Sequence, residues 1–150
     1  MSGAVGTADR DTEGGSRVER ELPEIRLVRP MPGFAELSRY VLVRLGEDDT
    51  ESEGTLFELR SLEQPRVRFL VADPAAFFPD YAVELDETSC HELELCDADD
   101  ALVLVVLTVG PDPTTTTANL LAPVVMNART RRAMQVIMSG TDWPVRAAIV

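Results

Sequence analysis

The chain is built from short apolar runs that recur about every ten residues and are separated by turn residues, a spacing typical of all-β domains. Val, Leu and Thr dominate these runs, and such side chains suit a pleated, half-buried surface. The runs are EIRLV (24–28), YVLVRL (40–45), TLFELRSL (55–62), VRFLVAD (67–73), DYAVEL (80–85), ALVLVVLTV (101–109), TTANLLAPVVMN (116–127) and AMQVIMSG (133–140). The pattern predicts a mainly β domain, either a small antiparallel barrel that is closed or nearly closed, or a sandwich closed on itself.

One segment, DETSCHELEL (86–95), has the pattern of a short helix. Asp86 can accept a hydrogen bond from a free backbone N–H at the helix start, and Glu87 suits the positive end of the helix dipole. Later in the chain, NARTRR (127–132) indicates a hairpin turn between the last two runs. The predicted domain therefore contains a single short helix among its strands.

The first 21 residues differ from the rest in composition. They are rich in Gly, Ser, Thr and charged residues and lack an apolar period, which predicts a disordered tail at 1–21 followed by a folded domain at 22–150. No apolar run approaches the roughly 18 residues of a membrane-spanning helix. The N-terminus also lacks the basic and apolar segments of a secretory signal, so we expect a cytoplasmic protein.

The net charge of −12 is distributed unevenly along the chain. No Lys or Arg occurs from Phe69 to Ala128. The carboxylates of that stretch are Asp73, Asp80, Glu84, Asp86, Glu87, Glu92, Glu94, Asp97, Asp99, Asp100 and Asp112. Such a field repels nucleic acid, whose binding requires Lys and Arg at the phosphates, and it attracts a basic protein. A role of the acidity in solubility alone is the open alternative.

The sequence offers no arrangement of catalytic side chains. Its single histidine, His91, lies between Cys90 and Glu92, but consecutive residues on a helix point about 100° apart and cannot converge on one substrate. HELEL lacks the second histidine of a zinc-protease helix. We therefore predict no catalytic residue and no enzyme activity.

Metal and cofactor sites are not predicted either. The DADD cluster at 97–100 lacks the glycine and the closing glutamate of a calcium loop, and it fits a solvated turn before a buried strand. Cys90 and Cys96 have neither zinc-site nor redox-site spacing, so two free thiols are expected, with a local disulfide as the alternative. No glycine-rich phosphate loop occurs.

Three of the eight aromatic residues lie together in DPAAFFPDYAVEL (73–85), namely Phe77, Phe78 and Tyr81. A strand core, a binding surface and a ligand pocket would each explain this concentration. The absence of a catalytic or metal constellation nearby disfavours the pocket. A small barrel that binds a low-molecular-weight ligand, or hydrolyses a glycan with two carboxylates, is the alternative function.

Two stretches have long, specific patterns, namely FLVADPAAFFPDYAVEL (69–85) and TANLLAPVVMNARTRRAMQVIM (117–138). Both resemble motifs of the FliW family of flagellar assembly factors, the first with the pattern D-P-x-x-F-F-P-x-Y. The matching residues are Asp73, Pro74, Phe77, Phe78, Pro79, Asp80 and Tyr81 in the first motif, and Thr117, Asn119, Leu120, Ala122, Pro123, Asn127, Gln135 and Val136 in the second. The similarity spans residues 24–140.

The resemblance implies a small β-barrel-like monomer without catalysis or cofactor. Family members bind flagellin in the cytoplasm and also bind CsrA, an RNA-binding translational repressor, whose block on flagellin mRNA they relieve. The implied partners are thus flagellin and a CsrA-type regulator, with no direct contact to nucleic acid and no membrane association. A long acidic stretch without Arg is compatible with a basic partner of this kind.

The expected partner-binding residues in the first motif are Phe77, Phe78, Asp80 and Tyr81. If the backbone were extended, Phe77 and Phe78 would face opposite ways, so one ring would pack and the other would meet the partner; packing of both rings is the alternative. Tyr81 is expected to bury its ring and to use its hydroxyl in a hydrogen bond. Asp80 suits a turn acceptor as well as a contact.

The expected partner-binding residues in the second motif are Asn119, Pro123 and Asn127. The two asparagines bracket an apolar run, and their side chains could equally brace the backbone. Pro123 has no N–H to donate to a ladder, which predicts an edge strand or a bulge there. An open edge would suit pairing with a partner.

Overall fold

The computed structural model describes residues 20–45, 56–112, 115–138 and 141–149. It contains nine strands and one α-helix in these ranges. The strands are β1 Arg20–Leu27, β2 Arg39–Arg44, β3 Leu56–Ser61, β4 Arg68–Ala72, β5 Ala101–Thr108, β6 Thr117–Ala118, β7 Val124–Asn127, β8 Arg132–Gln135 and β9 Ala147–Ala148, and the helix α1 is Glu87–Leu93. None of the described helices is long and apolar enough to cross a membrane. Residues 1–19 of the predicted tail lie outside the described ranges, and its last two residues, Arg20 and Glu21, belong to β1.

Seven of the strands close into a barrel, which confirms the predicted fold class. The order around the barrel is β5, β4, β3, β2, β1, β8, β7, and β7 pairs with β5 to complete the circle. Every pairing is antiparallel except that of β8 with β1, where Ala133 lies beside Leu27 in a parallel register. The sheet therefore closes through a parallel contact that the sequence pattern did not predict.

Strand β5 completes the barrel because successive parts of it pair with different strands. Residues 101–104 pair with β7, Val105 and Val106 pair with β4, and the last two residues pair with β6. Its side chains alternate accordingly: Leu104 points into the barrel core, whereas Val103 and Val105 pack in two clusters outside it. A continuous apolar run is what a strand needs when both of its faces are buried.

The barrel interior is filled by apolar side chains. The buried members of this core are Ile25, Leu27, Met31, Leu37, Tyr40, Leu42, Phe57, Leu59, Val71, Leu104, Val124, Met126 and Ala133. A packed interior of this kind argues against the alternative of a barrel with a ligand cavity.

Two further apolar clusters lie on the outer wall. One, which we call the aromatic cluster, contains Ala72, Val105, Leu107, Ala118, Leu120 and Ala147, with Leu56, Leu70, Phe77, Phe78, Tyr81, Trp143 and Ile149 packed against them. The other, the helix cluster, contains Leu93, Val125, Met134 and Val136, with Val28, Val83, Leu85, Leu95, Ala101 and Val103 packed against them. The segment at 77–85 contributes to both clusters and so crosses the wall from one to the other.

The predicted helix is confirmed together with its N-cap. The Asp86 carboxylate accepts a hydrogen bond from Ser89 N at 2.8 Å, and the helix ends at Glu94, which adopts a left-handed conformation with φ 58°. Leu93 is fully buried in the helix cluster. The DADD segment forms a short 3₁₀ turn ahead of β5, as predicted.

Two predicted strands differ in the structure. Residues 80–85 form no strand, because their backbone is not part of a hydrogen-bonded ladder. Tyr81, Val83 and Leu85 nevertheless point alternately inward and pack on the barrel wall. The run at 116–127 is broken into β6 and β7 by residues 119–123. Strand β9, close to the C-terminus, was not predicted.

Candidate partner-binding surface

The two sequence motifs meet on the outer wall, where Tyr81 touches Leu120. The Tyr81 hydroxyl donates a hydrogen bond of 2.6 Å to the Leu120 carbonyl oxygen. Its ring also packs edge-on against Trp143, with ring centroids 4.9 Å apart and an interplanar angle of 75°. Burial raises the pKa of Tyr81 to about 12. The prediction of a packed ring with a hydrogen-bonded hydroxyl is confirmed.

The FFP segment is a tight turn and not an extended strand. The Asp73 carboxylate accepts a hydrogen bond from Ala75 N at 3.0 Å and so caps a 3₁₀ helix at Pro74–Ala76. The amide of Phe78 then bonds back to the Pro74 carbonyl at 2.7 Å. Opposite orientation of Phe77 and Phe78 was expected only for extended backbone, which this segment lacks.

Both phenylalanine rings therefore pack on the same aromatic cluster. Phe77 and Phe78 are each half-buried, and their ring centroids lie 6.5 Å apart. Asp80, which follows them, is exposed. The segment thus presents the half-buried edges of two rings beside an exposed carboxylate.

Asn119 and Asn127 brace the backbone within the second motif, at the two ends of its apolar run. The Asn119 Oδ1 accepts hydrogen bonds from the amides of Leu121 and Ala122, both at 3.1 Å. These bonds hold the chain in a turn and explain why the run at 116–127 is not one strand.

Asn127 is buried and makes four hydrogen bonds. Its Oδ1 accepts from Arg129 N at 2.9 Å and Thr130 N at 3.3 Å, and its Nδ2 donates to the carbonyls of Leu93 and Glu94 at 2.9 and 3.0 Å. One side chain therefore ties the β7–β8 turn to the end of α1. This is a bracing role, and the side chain is only 2% exposed.

Pro123 does not lie on an open edge. It is fully buried and immediately precedes β7, which pairs with β5 on one side and with β8 on the other. Its carbonyl accepts a hydrogen bond from Val136 N at 2.8 Å. The prediction of an edge strand at Pro123 is wrong, because the strand that follows Pro123 is paired on both sides where the barrel closes.

Among the described residues, no group of three or more His, Cys, Asp or Glu is placed to hold a metal ion. His91 is an exposed residue of α1, and Cys90 and Cys96 are free thiols, as expected from their spacing.

Residues 141–149, which we call the C-terminal strap, complete this surface. Strand β9 of the strap pairs with β6, and Leu120 N donates to the Pro144 carbonyl at 3.0 Å. Trp143, Ala147 and Ile149 contribute to the aromatic cluster. Sequence reasoning missed the strap; the aromatic and apolar residues within WPVRAAI were the available signal.

Comparison with known proteins identifies the family. The family described as "FliW protein" matches residues 10–149. The chain belongs to the FliW family. It is 35% identical to the flagellar assembly factor FliW of Geobacillus kaustophilus, over 81% of both chains. It is 32% identical to the flagellar assembly factor FliW of Treponema pallidum, over 84% of this chain and 80% of the relative.

A solved structure supports the same assignment. The crystal structure of a flagellar assembly factor FliW superimposes with a TM-score of 0.74 at 30% identity and covers 84% of each chain. The FliW resemblance of the two motifs is thereby confirmed, and so is the barrel that carries them.

Acidic side chains are frequent in the part of the chain that runs from the first FliW motif into the second. Nine of the eleven carboxylates between Phe69 and Ala128 are exposed, and Glu92 and Asp100 are half-buried. Glu92 is matched by Arg29, whose guanidinium donates two hydrogen bonds to it at 2.8 and 2.6 Å and lowers the pKa of the carboxyl. The exposed acids lie on turns, loops and helix α1, and two of them, Asp80 and Glu84, belong to the segment at 77–85 that packs on the outer wall.

Proposed function

We propose that this protein is a cytoplasmic flagellar assembly factor that binds flagellin and antagonises a CsrA-type translational repressor. Binding of the two partners is mutually exclusive or coupled, so that flagellin synthesis follows filament assembly. The names of the relatives support the assembly role, and the surface described above supports partner binding.

The observation that carries the proposal is the exposed acidic covering of one part of the barrel. The stretch from Phe69 to Ala128 has eleven carboxylates and no Lys or Arg. Arg29, Arg129 and Arg132 pair with three of these carboxylates, and the remaining negative charge favours a basic protein and speeds its encounter. An RNA-binding repressor carries the basic residues that such a surface needs. The same field disfavours direct binding of RNA by this chain.

The half-buried rings of Phe77, Phe78 and Tyr81 supply the apolar part of the surface. Aromatic side chains that bury one edge and expose the other are common anchors in protein interfaces. Flagellin that has not yet assembled offers apolar segments, and this part of the surface is suited to shield them.

The test is a binding experiment with purified partners. We expect the full-length protein to bind flagellin and a CsrA-type repressor in calorimetry, and we expect saturating flagellin to change the affinity for the repressor. Binding of neither partner at high micromolar concentration would reject the proposal. Binding of both without any mutual effect would reject the coupling.

A further inference from the structure

The C-terminal strap is held by few contacts for a segment that closes an apolar cluster. Its ladder with β6 has two residue pairs, Ala147 with Ala118 and Ala148 with Thr117. Barrel neighbours β3 and β4 share five pairs, and although β4 and β5 share only two, each of them has a further strand neighbour, which β9 lacks in the described sheet. The remaining described backbone bonds are Leu120 N to the Pro144 carbonyl at 3.0 Å and a long bond of 3.4 Å from Ile149 N.

Most strap residues bury little of their own surface, although Ala147 is buried and Ile149 is half-buried. Val145 is 52% exposed, Arg146 and Ala148 are exposed, and Trp143 is half-buried. Segments with few buried contacts open at a lower free energy than the rest of a domain. The strap can therefore separate from β6 while the closed barrel stays intact.

The strap covers the residues that the sequence motifs single out. Trp143 lies on the ring of Tyr81, and Ala147 packs in the same cluster as Ala118 and Leu120. If the strap left, the edge of β6 would be unpaired, and the Tyr81 ring and the Leu120 side chain would be uncovered. An apolar groove beside a free strand edge is the geometry of strand addition, in which an extended peptide pairs with the edge and places alternate side chains in pockets.

We propose that an extended apolar segment of the partner displaces the strap and takes its place on β6. The strap itself shows the chemistry that fits: an aromatic residue against Tyr81, followed by small and branched apolar residues that alternate inward, as Ala147 and Ile149 do. This inference rests on the proposed function and takes flagellin as the partner that supplies the segment. The strap then acts as a competitor that keeps the groove covered when flagellin is absent.

Displacement of the strap would bring the partner to the motif residues, whereas a partner strand added to the outer edge of β9 would not. The outer edge of β9 is only two residues long, and the side chains that Tyr81 and Leu120 offer lie beneath the strap. A partner added outside would meet Val145, Arg146 and Ala148, none of which belongs to either FliW motif. Contact with the motif residues requires the strap to move.

A disulfide lock tests the proposal. Ala118 and Ala147 are directly paired in an antiparallel ladder, and Cα atoms of such pairs lie within the range that a disulfide spans. The variant Ala118→Cys/Ala147→Cys is made in a Cys90→Ser/Cys96→Ser background, and flagellin binding is measured before and after oxidation. We expect the oxidised form to bind about tenfold or more weakly than the reduced form.

A matched control is Arg26→Cys/Arg39→Cys in the same background. These residues are exposed, paired between β1 and β2, and far from the strap in barrel order. Its oxidised and reduced forms are expected to bind flagellin equally. Equal binding by both forms of the strap lock would overturn the displacement, whereas failure of the wild-type protein to bind flagellin would reject the proposed function itself.

A third variant distinguishes a strap that competes with flagellin from a strap that contacts flagellin directly. Trp143→Ala removes the aromatic anchor of the strap. If flagellin displaces the strap, we expect this variant to bind flagellin several-fold more tightly or faster than wild type. If the strap instead formed part of the binding surface, the same variant would bind more weakly, and that result would also overturn the proposal. Circular dichroism and thermal melting verify that the barrel is folded.

Discussion

The hydroxyl of Tyr81 lies 2.6 Å from the carbonyl oxygen of Leu120 and joins the two FliW motifs across 39 positions of sequence. Neither residue belongs to a described strand of the closed barrel. The bond therefore fixes two irregular segments to one another on the outer wall. These segments carry most of the residues that we expect to meet a partner.

Tyr81→Phe is expected to destabilise the protein by about 1 kcal/mol, because it removes one partly buried hydrogen bond and leaves the ring packing intact. The free energy of unfolding, measured with urea, checks this value. Tyr81→Ala should destabilise it more, since it also removes the contact with Trp143. Equal stability of wild type and Tyr81→Phe would mean that the hydrogen bond does not persist in solution.

Tyrosine ionisation provides an independent test. The chain has two tyrosines: burial raises the pKa of Tyr81 to about 12, and burial, with a smaller effect of Glu63, also raises the pKa of Tyr40. Groups whose pKa is raised by folding stabilise the native state below their ordinary pKa and lose this contribution as pH rises through the native value. We expect spectrophotometric titration of the folded protein to show little ionisation at pH 10 and a loss of stability between about pH 10 and 12. Ionisation of both tyrosines near the ordinary pKa of about 10, in protein that is still folded, would contradict this prediction.

Asn127→Ala should destabilise the protein by about 2 to 4 kcal/mol, because it removes four hydrogen bonds and leaves buried backbone groups without them. Asn119→Ala is the matched comparison, since the half-buried Asn119 makes two such bonds and its loss should cost about 1 kcal/mol. Urea denaturation of both variants measures the two losses in the free energy of unfolding. A larger effect at Asn119 would reverse the structural roles assigned to the two asparagines.

Much of the fold follows from local pattern. The helix, its Asp86 cap and most strands were predictable, because the alternation of apolar residues and the turn signals are local properties. The segment at 80–85 misled the prediction, because a chain lying on a barrel wall buries every second side chain just as a strand does. Only its backbone bonds distinguish the two, and they depend on distant residues.

The candidate surface was predictable in its residues but not in its arrangement. Motif resemblance singled out Tyr81 and Asn127, but nothing local shows that the first bonds to Leu120 or that the second ties a turn to α1. Pro123 was misjudged because a missing N–H is tolerated at the start of a strand as well as at an edge. The parallel contact between β8 and β1 and the role of the strap depend on long-range closure of the barrel.

Acid pH should destabilise the protein through its hydrogen-bonded carboxyls. Arg29 lowers the pKa of Glu92, and the backbone N–H of Ser89 lowers that of Asp86. A lowered native pKa stabilises the protein above the ordinary value, which is 4.5 for Glu92, and this contribution is lost as pH falls through the native pKa. Glu92→Gln should therefore show a shallower loss of stability on acidification than wild type. Glu84→Gln, an exposed control, should follow the wild-type curve; identical curves for all three proteins would count against a contribution from Glu92.

Binding of the repressor should weaken with salt, because an acidic surface attracts a basic partner through charges that ions screen. Between about 50 and 500 mM NaCl we expect a loss of affinity on the order of tenfold, seen mainly in the association rate. Asp80→Asn/Glu84→Gln removes two exposed carboxylates of the segment at 77–85 and should lower both the affinity at low salt and the steepness of the salt dependence. Glu36→Gln, an exposed change on the loop before β2, lies outside the acidic stretch and should leave both unchanged. If the affinity were the same at both salt concentrations, the acidic covering would not be what attracts the repressor.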